Sequence, residues 1–206
     1  MNLILASNSP RRKEILSNLG IKFDVIVSDV DESSEITDPG ELVCILSRRK
    51  GMAVASSLPE KYKNDTSVVI SGDTVVALDG EIFGKPENEK DAKRMISSLS
   101  GRTHSVYSGM SVIKITADGK ISDHTEFERT DVTFRKMSDK EIDLYLTMEN
   151  VLDKAGAYAI QGAASLWIDS INGNYFNVVG MPTNKLTLLL EKSGIKVTDL
   201  ISADKK

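Results

Sequence analysis

The 206 residues hold one cysteine, two histidines and no long apolar run. A lone Cys44 excludes an internal disulfide framework and a cysteine-rich zinc site; within an apolar helical stretch it reads as packing. His104 and His124 lie far apart with no ligand-spaced neighbour, so structural roles are expected rather than metal ligation. No stretch approaches the roughly 18 apolar residues that a membrane-spanning helix needs. No basic segment precedes an apolar one at the N-terminus. Arg11-Arg12-Lys13 follows the first apolar run instead, and a cytoplasmic protein is the expectation. A strong positive balance is missing too. A net charge of −4 and a pI near 5.3 argue against a broad nucleic-acid surface, as does the absence of aromatic–basic interleaving, but they leave room for a small basic pocket. Three site motifs are absent: no Gly-Lys-Ser/Thr follows a strand, and neither GxGxxG nor GxSxG occurs.

What is present is ordinary globular composition, 40% hydrophobic and 27% charged, in a length that suits one large domain or two small lobes sharing a sheet. The stretch of most interest is Ser71 to Pro86, SGDTVVALDGEIFGKP. An apolar run, Val68 to Ile70, predicts a buried strand that ends in Ser71-Gly72-Asp73. A second run, Val75 to Leu78, leads to Asp79-Gly80, a strong hairpin turn signal because a type I′ turn needs positive φ. The return strand, Glu81 to Phe83, ends in Gly84-Lys85-Pro86. The hairpin would bring Lys85 back toward Asp73, a pairing of ammonium and carboxylate that suits a metal-bound phosphate.

Upstream, Leu3 to Ala6 suits a central strand. Ser9 then fits an N-cap, Pro10 the first helical position and Gly20 the end of a helix carrying Ile15, Leu16 and Leu19. Arginine in a first turn opposes the helix dipole, so Arg11 and Arg12 there suggest an anion site beside the free N–H groups. Lys22 to Ser28 alternates like a strand. An acidic loop holding Asp31 and Glu32 follows. Asp38-Pro39-Gly40-Glu41 resembles a capping box opening a helix to about Ser56, with Leu42, Ile45, Leu46 and Ala53 expected inward. Its Arg48-Arg49-Lys50 cluster reads most simply as a solvated face.

Downstream, Asn88 to Ser100 is an amphipathic helix with Ala92, Met95, Ile96 and Leu99 on one face. Two β-patterned stretches, Thr103 to Thr116 and Ile121 to Phe134, meet at Asp118-Gly119. Ser138 and Glu141 form a capping box for a helix with Ile142, Tyr145 and Met148 inward. A small-residue loop, Asp153 to Gly162, surrounds Gln161. Ser165 to Ile171 reads as a strand with a core Trp167, and a last helix runs from Met181-Pro182-Thr183 through Lys192. The tail Ser202 to Lys206 is expected to fray. The order favours one α/β or α+β unit with a mixed sheet across residues 1–206.

Phosphoryl chemistry needs cations around the phosphates and a carboxylate to hold a metal or orient water. Arg11, Arg12, Lys50 and Lys85 are candidates for the first, Glu32 and Asp73 for the second. Two carboxylates suffice for Mg²⁺, which keeps much of its water.

The residues also carry a family resemblance. Ala6-Ser7-Asn8-Ser9-Pro10-Arg11-Arg12, Ser71 to Val76, Gly84-Lys85-Pro86, Gly101 to His104, Asp153 to Tyr158, Gln161-Gly162 and Ile171 to Tyr175 followed by Gly180-Met181-Pro182 stand in order along nearly the whole chain. With them the chain resembles the Maf-like nucleoside triphosphate pyrophosphatases, first associated with septum formation. Met181 stands where leucine is commoner, and Gly72 where alanine or serine often precedes the aspartate. The resemblance implies a mixed twisted sheet with flanking helices and two lobes around a central cleft, as in inosine triphosphate pyrophosphatases. It implies hydrolysis of a nucleoside triphosphate to the monophosphate and pyrophosphate with a divalent metal, Mg²⁺ or Mn²⁺. It also implies a homodimer.

By the same resemblance, Asp73 activates water and shares the metal with Glu32. Arg12, Lys50, Lys85 and Ser7 hold the triphosphate. Arg11, Thr74 and Gln161 match the subgroup acting on dTTP and UTP, for which modified pyrimidine triphosphates would be natural substrates in a pool-cleaning role. Gln161 offers both a donor and an acceptor to the O4/N3 edge of uracil or thymine. The alternative is a nucleotide-binding regulator of division acting through a protein partner.

Overall fold

One strand runs through the middle of everything else. The computed structural model describes residues 1–201, so the expected fraying of Ser202–Lys206 lies outside them. The chain opens with β1 (Asn2–Leu5), α1 (Pro10–Asn18), the short β2 (Asp24–Val25) and α2 (Pro39–Ser56). The long β3 (Ser67–Leu78) turns into β4 (Glu81–Phe83), and α3 (Glu89–Leu99) follows. Next come β5 (Thr103–Ile115), β6 (Ile121–Phe134), α4 (Asp139–Met148), β7 (Ile168–Asn172), α5 (Tyr175–Val179) and α6 (Thr183–Lys192). The sheet order is β2-β1-β3-β5-β6-β7, with β4 added to β3. β1 is parallel to β2 and β3, and the other pairings are antiparallel.

Local chemistry sets the element ends. Ser9, Asp38 and Asn88 each accept a backbone N–H from the first turn of their helix. Ser138 and Glu141 form the reciprocal capping box. Asp79 (φ 51°) and Gly80 (φ 83°) make the left-handed pair that the β3–β4 hairpin requires.

The cores divide the molecule into two lobes. Val68 and Ile70 of β3 pack with Leu5, Leu16, Met110 and Leu189 under α1 and α6. Val76 and Leu78, farther along the same strand, pack with Phe83, Ile96, Tyr145 and Trp167. On the opposite face Val69 meets Ile4, Val54 and Ile113 beneath α2. The shared strands β3 and β5 join the lobes, as expected of this fold class.

Between the lobes the edge of β3 is open. β1 pairs with Ser67 to Ile70, and β4 with Val76 to Leu78 on the same edge. Among the described residues no strand pairs with Ser71–Val75 there. The gap lies just beyond the carboxyl end of β1, where open α/β sheets place their ligands.

Several expectations are corrected. Val68–Ile70 and Val75–Leu78 form one 12-residue strand, because β5 pairs with it continuously through Gly72 and Asp73. The strand expected over 22–28 shrinks to two residues at the sheet margin; Val25 and Val27 are exposed, so their alternation has no second face to cover. α2 buries Val43, Leu46, Gly51 and Val54, and of the four expected inward only Leu46 is among them; Leu42, Ile45 and Ala53 are half-buried. Met148 is exposed at the end of α4. The last strand begins at Ile168, after a 3-10 turn over Ala163–Leu166, and Trp167 is buried as expected. The five-residue α5, capped by Asn174, has no counterpart among the expected elements.

His104 is buried, with Nε2 2.7 Å from the Tyr158 hydroxyl. Burial lowers its pKa to about 4, against a smaller opposite pull from Asp131. Above about pH 6.5 both folded and unfolded states are neutral there. Below it the unfolded chain takes up a proton that the native state refuses, so stability falls as pH drops toward 4. The loss should total about 3 kcal/mol. Denaturation midpoints from pH 7.5 to 4.5 should therefore fall less steeply in His104→Gln than in the wild type; parallel profiles would refute the assignment.

Candidate active site

Adjacent residues on β3 face opposite ways, and this brings two helices to one site. Asp73 points toward α2, whose Lys50 Nζ lies 2.6 Å from its Oδ1. Thr74 points toward α1, whose Arg12 donates from Nη2 to Thr74 Oγ1 at 3.0 Å. The unpaired edge at Ser71–Val75 lets one cleft reach both sides of the strand.

The basic cluster on α2 is not a plain solvated face. Arg48 pairs with Asp123 of β6 at 2.6 Å. Arg49 donates to the Asp31 and Ser33 carbonyls at 2.6 and 3.1 Å, fastening the acidic loop to the helix. That tether sets Glu32 within reach, and Lys50 Nζ lies 2.7 Å from Glu32 Oε2. Lys50 thus bridges Asp73, which is only 8% exposed, and the exposed Glu32.

Arg12 is buried and held on three sides. Nε donates to the Gly180 carbonyl at 2.8 Å, Nη1 to Ser7 Oγ at 3.1 Å and Nη2 to Thr74. Burial lowers its pKa from the ordinary arginine value, with Asp73 acting in the opposite sense and Arg11 adding to the fall. A guanidinium has five N–H groups, and three are used here. One on each terminal nitrogen remains, the fork that grips a phosphate or carboxylate in two places. Ser7 Oγ also accepts from the Ser9 N–H at 3.2 Å, which leaves its proton to donate.

Arg11 turns the other way, to 3.8 Å from Asp153. Burial raises the pKa of Asp153, but the Lys154 hydrogen bond and the charges of Lys154 and Arg11 carry it below the usual carboxylate value. Gly156 donates to the Gly84 carbonyl at 3.0 Å and so ties the small-residue loop to the strand exit bearing Lys85. Lys85 and Gln161 are exposed on the cleft. All nine residues expected at the site, Ser7, Arg11, Arg12, Glu32, Lys50, Asp73, Thr74, Lys85 and Gln161, line this single cleft of about 970 Å³. Sequence reasoning missed Gly180 as the acceptor for Arg12, Asp153 as the partner of Arg11, and Ser108, bonded to Thr74.

Among the described residues no three histidine, cysteine or acidic side chains converge as a metal group. Asp73 and Glu32 nonetheless aim oxygens at one point, now taken by the Lys50 ammonium. Two carboxylates around a cation fit a hard divalent ion that completes its shell with water and phosphate oxygens.

Residues 2–193 match the sequence model of a family described as Maf-like protein. A dTTP/UTP pyrophosphatase of Bacillus cereus is 42% identical over 197 residues, covering 95% of this chain and 97% of its own. A dTTP/UTP pyrophosphatase of Agathobacter rectalis is 42% identical over 202 residues, covering 95% and 98%. A solved nucleoside-triphosphatase / dITP/XTP pyrophosphatase from Mycobacterium abscessus aligns over 100% of both chains at 12% identity, with a TM-score of 0.37, too slight a likeness to bear on function.

Proposed function

The chain belongs to the Maf-like protein family, and from that premise we propose that it hydrolyses dTTP and UTP to the nucleoside monophosphate and pyrophosphate. The observation that carries this is the convergence, in one cleft, of a shielded carboxylate with the cations that a triphosphate needs.

Asp73 takes a proton from water as the water oxygen bonds to one phosphorus of the α–β anhydride. The bond from that phosphorus to the bridging oxygen breaks, the bridging oxygen leaves with the other phosphorus, and the products are the nucleoside monophosphate and pyrophosphate. Arg12 meets the chain of phosphates with its two remaining N–H groups, and Ser7 adds a hydroxyl donor. Lys50 and Lys85, both on the cleft, supply positive charge. Glu32 and Asp73 are the residues that would hold Mg²⁺ or Mn²⁺. A divalent cation supplies charge neutralisation at the phosphoryl oxygens. Were the cation held there, it would take the place of the Lys50 ammonium between the two carboxylates, and Lys50 would be free to pair with a phosphate oxygen. Arg11, Thr74 and Gln161 face the base, and a site paired to one base edge rejects another by leaving buried polar groups unpaired.

A pyrophosphate-release assay over dTTP, UTP, CTP, GTP and ATP tests this. dTTP and UTP should lead the others by about tenfold or more in kcat/KM, and chelation of divalent metal should abolish turnover. A purine at the top would overturn the base assignment and keep the chemistry. Binding without turnover of any nucleotide would favour a regulator of division acting through a protein partner.

A further inference from the structure

Thr74 sits directly opposite Ser108 of β5 in the ladder, and their hydroxyl oxygens are 2.9 Å apart. Ser108 is fully buried, and its Oγ is also 2.9 Å from the Asn177 carbonyl. The proton positions follow from what each partner can do. A carbonyl only accepts, so the Ser108 proton goes to Asn177. A guanidinium only donates, so Thr74 accepts from Arg12. Ser108 Oγ is then left to accept, and the Thr74 proton must point at it. The chain runs one way: Arg12 Nη2 to Thr74, Thr74 to Ser108, Ser108 to the Asn177 carbonyl.

Thr74 lines the cleft with its proton already committed. One lone pair is all that its hydroxyl has left to offer a ligand. Uracil and thymine carry a hydrogen at N3, whereas cytosine presents a lone pair there. We propose that Ser108 is a positioning residue for base choice, holding the Thr74 hydroxyl as an acceptor so that the cleft takes pyrimidines with an N3–H and refuses those with a bare N3. This rests on the base assignment proposed above, with the N3–H given to Thr74 and Gln161 left to donate its amide N–H to O4. Cytosine would set lone pair against lone pair in a partly buried place, where an unmade hydrogen bond is costly.

Steady-state kcat/KM for UTP, CTP and N3-methyl-UTP tests this in the wild type, in Ser108→Ala and in Ser111→Ala. Ser111 is an equally buried serine of β5 that bonds to Ser47 and Thr125, so its variant loses a hydroxyl of the same kind away from Thr74. The wild type should turn over UTP at least about tenfold better than CTP or N3-methyl-UTP. Ser108→Ala frees the Thr74 proton to serve a bare N3, so the UTP-to-CTP ratio should fall about tenfold, mainly through faster CTP turnover. Ser111→Ala should keep the wild-type ratio. An unchanged ratio in Ser108→Ala, or an equal fall in both variants, overturns the proposal. So does wild-type turnover of N3-methyl-UTP equal to that of UTP, a result that needs no folded variant. A wild type without preference for UTP over CTP overturns the base assignment itself, and the two failures are thereby told apart.

Discussion

Asp73→Asn should lower pyrophosphate release by about three orders of magnitude, the span typical of losing a general base. Its triphosphate affinity, measured without metal, should hold or tighten. Asparagine has the shape of aspartate and can still accept from Lys50, which keeps Glu32 as a second partner at 2.7 Å. The strand around it is paired to β5 on one side throughout, so the backbone has little reason to move. What disappears is the capacity to take a proton and one negative charge beside a polyanion. An equal fall in kcat and kcat/KM identifies an interaction made only in the transition state. Calorimetric titration with dTTP supplies the affinity, and thermal melting confirms the fold. More than about a tenth of wild-type turnover in this variant would remove Asp73 from the role of base.

Helix caps and the hairpin turn were legible because each depends on a few neighbouring residues. Ser138 and Glu141 announce their capping box within four positions, and Asp79-Gly80 its turn within two. The inward face of α2 was not legible in this way. Ile45 and Ala53 are as apolar as Val43 and Val54, and the choice between them is made by the sheet that the helix lands on. Close approach at Gly51 favours the face observed: a Cβ there would lie 2.5 Å from Ile113 Cδ1 and Ser71 Oγ. At the site, the residue types at Asp73, Lys50 and Arg12 suggested phosphate chemistry, and the family resemblance supplied the finer roles. The grip on Arg12 had no local signature, because Gly180 lies 168 positions away and contributes only a carbonyl. The relay through Ser108 was equally hidden. A strand serine looks the same in sequence whether it packs or orients a hydroxyl.

Gly109→Ala should destabilise the protein by about 3 kcal/mol or more and displace Lys50 from Asp73. Two effects oppose each other here. Gly109 lies in strand β5, where alanine would restrict the unfolded chain and add about 0.4–1 kcal/mol of stability. Against this, a Cβ at 109 would lie 2.2 Å from the Val43 carbonyl oxygen and 2.9 Å from the Cys44 nitrogen. Those are backbone atoms of α2, and no side-chain rotation relieves the overlap. Relief requires the helix to lift from the sheet by on the order of 1 Å in a close-packed interior. The lift would stretch the Ser71 hydroxyl bond to the Ser47 carbonyl and the Ser47–Ser111 contact, 2.7 and 2.9 Å as they stand. Lys50 rides on the same helix, farther along from Val43, so the clash outside the cleft reaches the ion pair within it. The melting temperature should drop by roughly 6–12 °C for a chain of this size, and kcat should fall in the protein that remains folded. Gly84→Ala is the matched control for stability, since a Cβ there meets nothing within 4 Å. If Gly109→Ala melts with the wild type, α2 is not held at contact distance by the absent side chain, and the position of Lys50 must be set by its ion pairs alone.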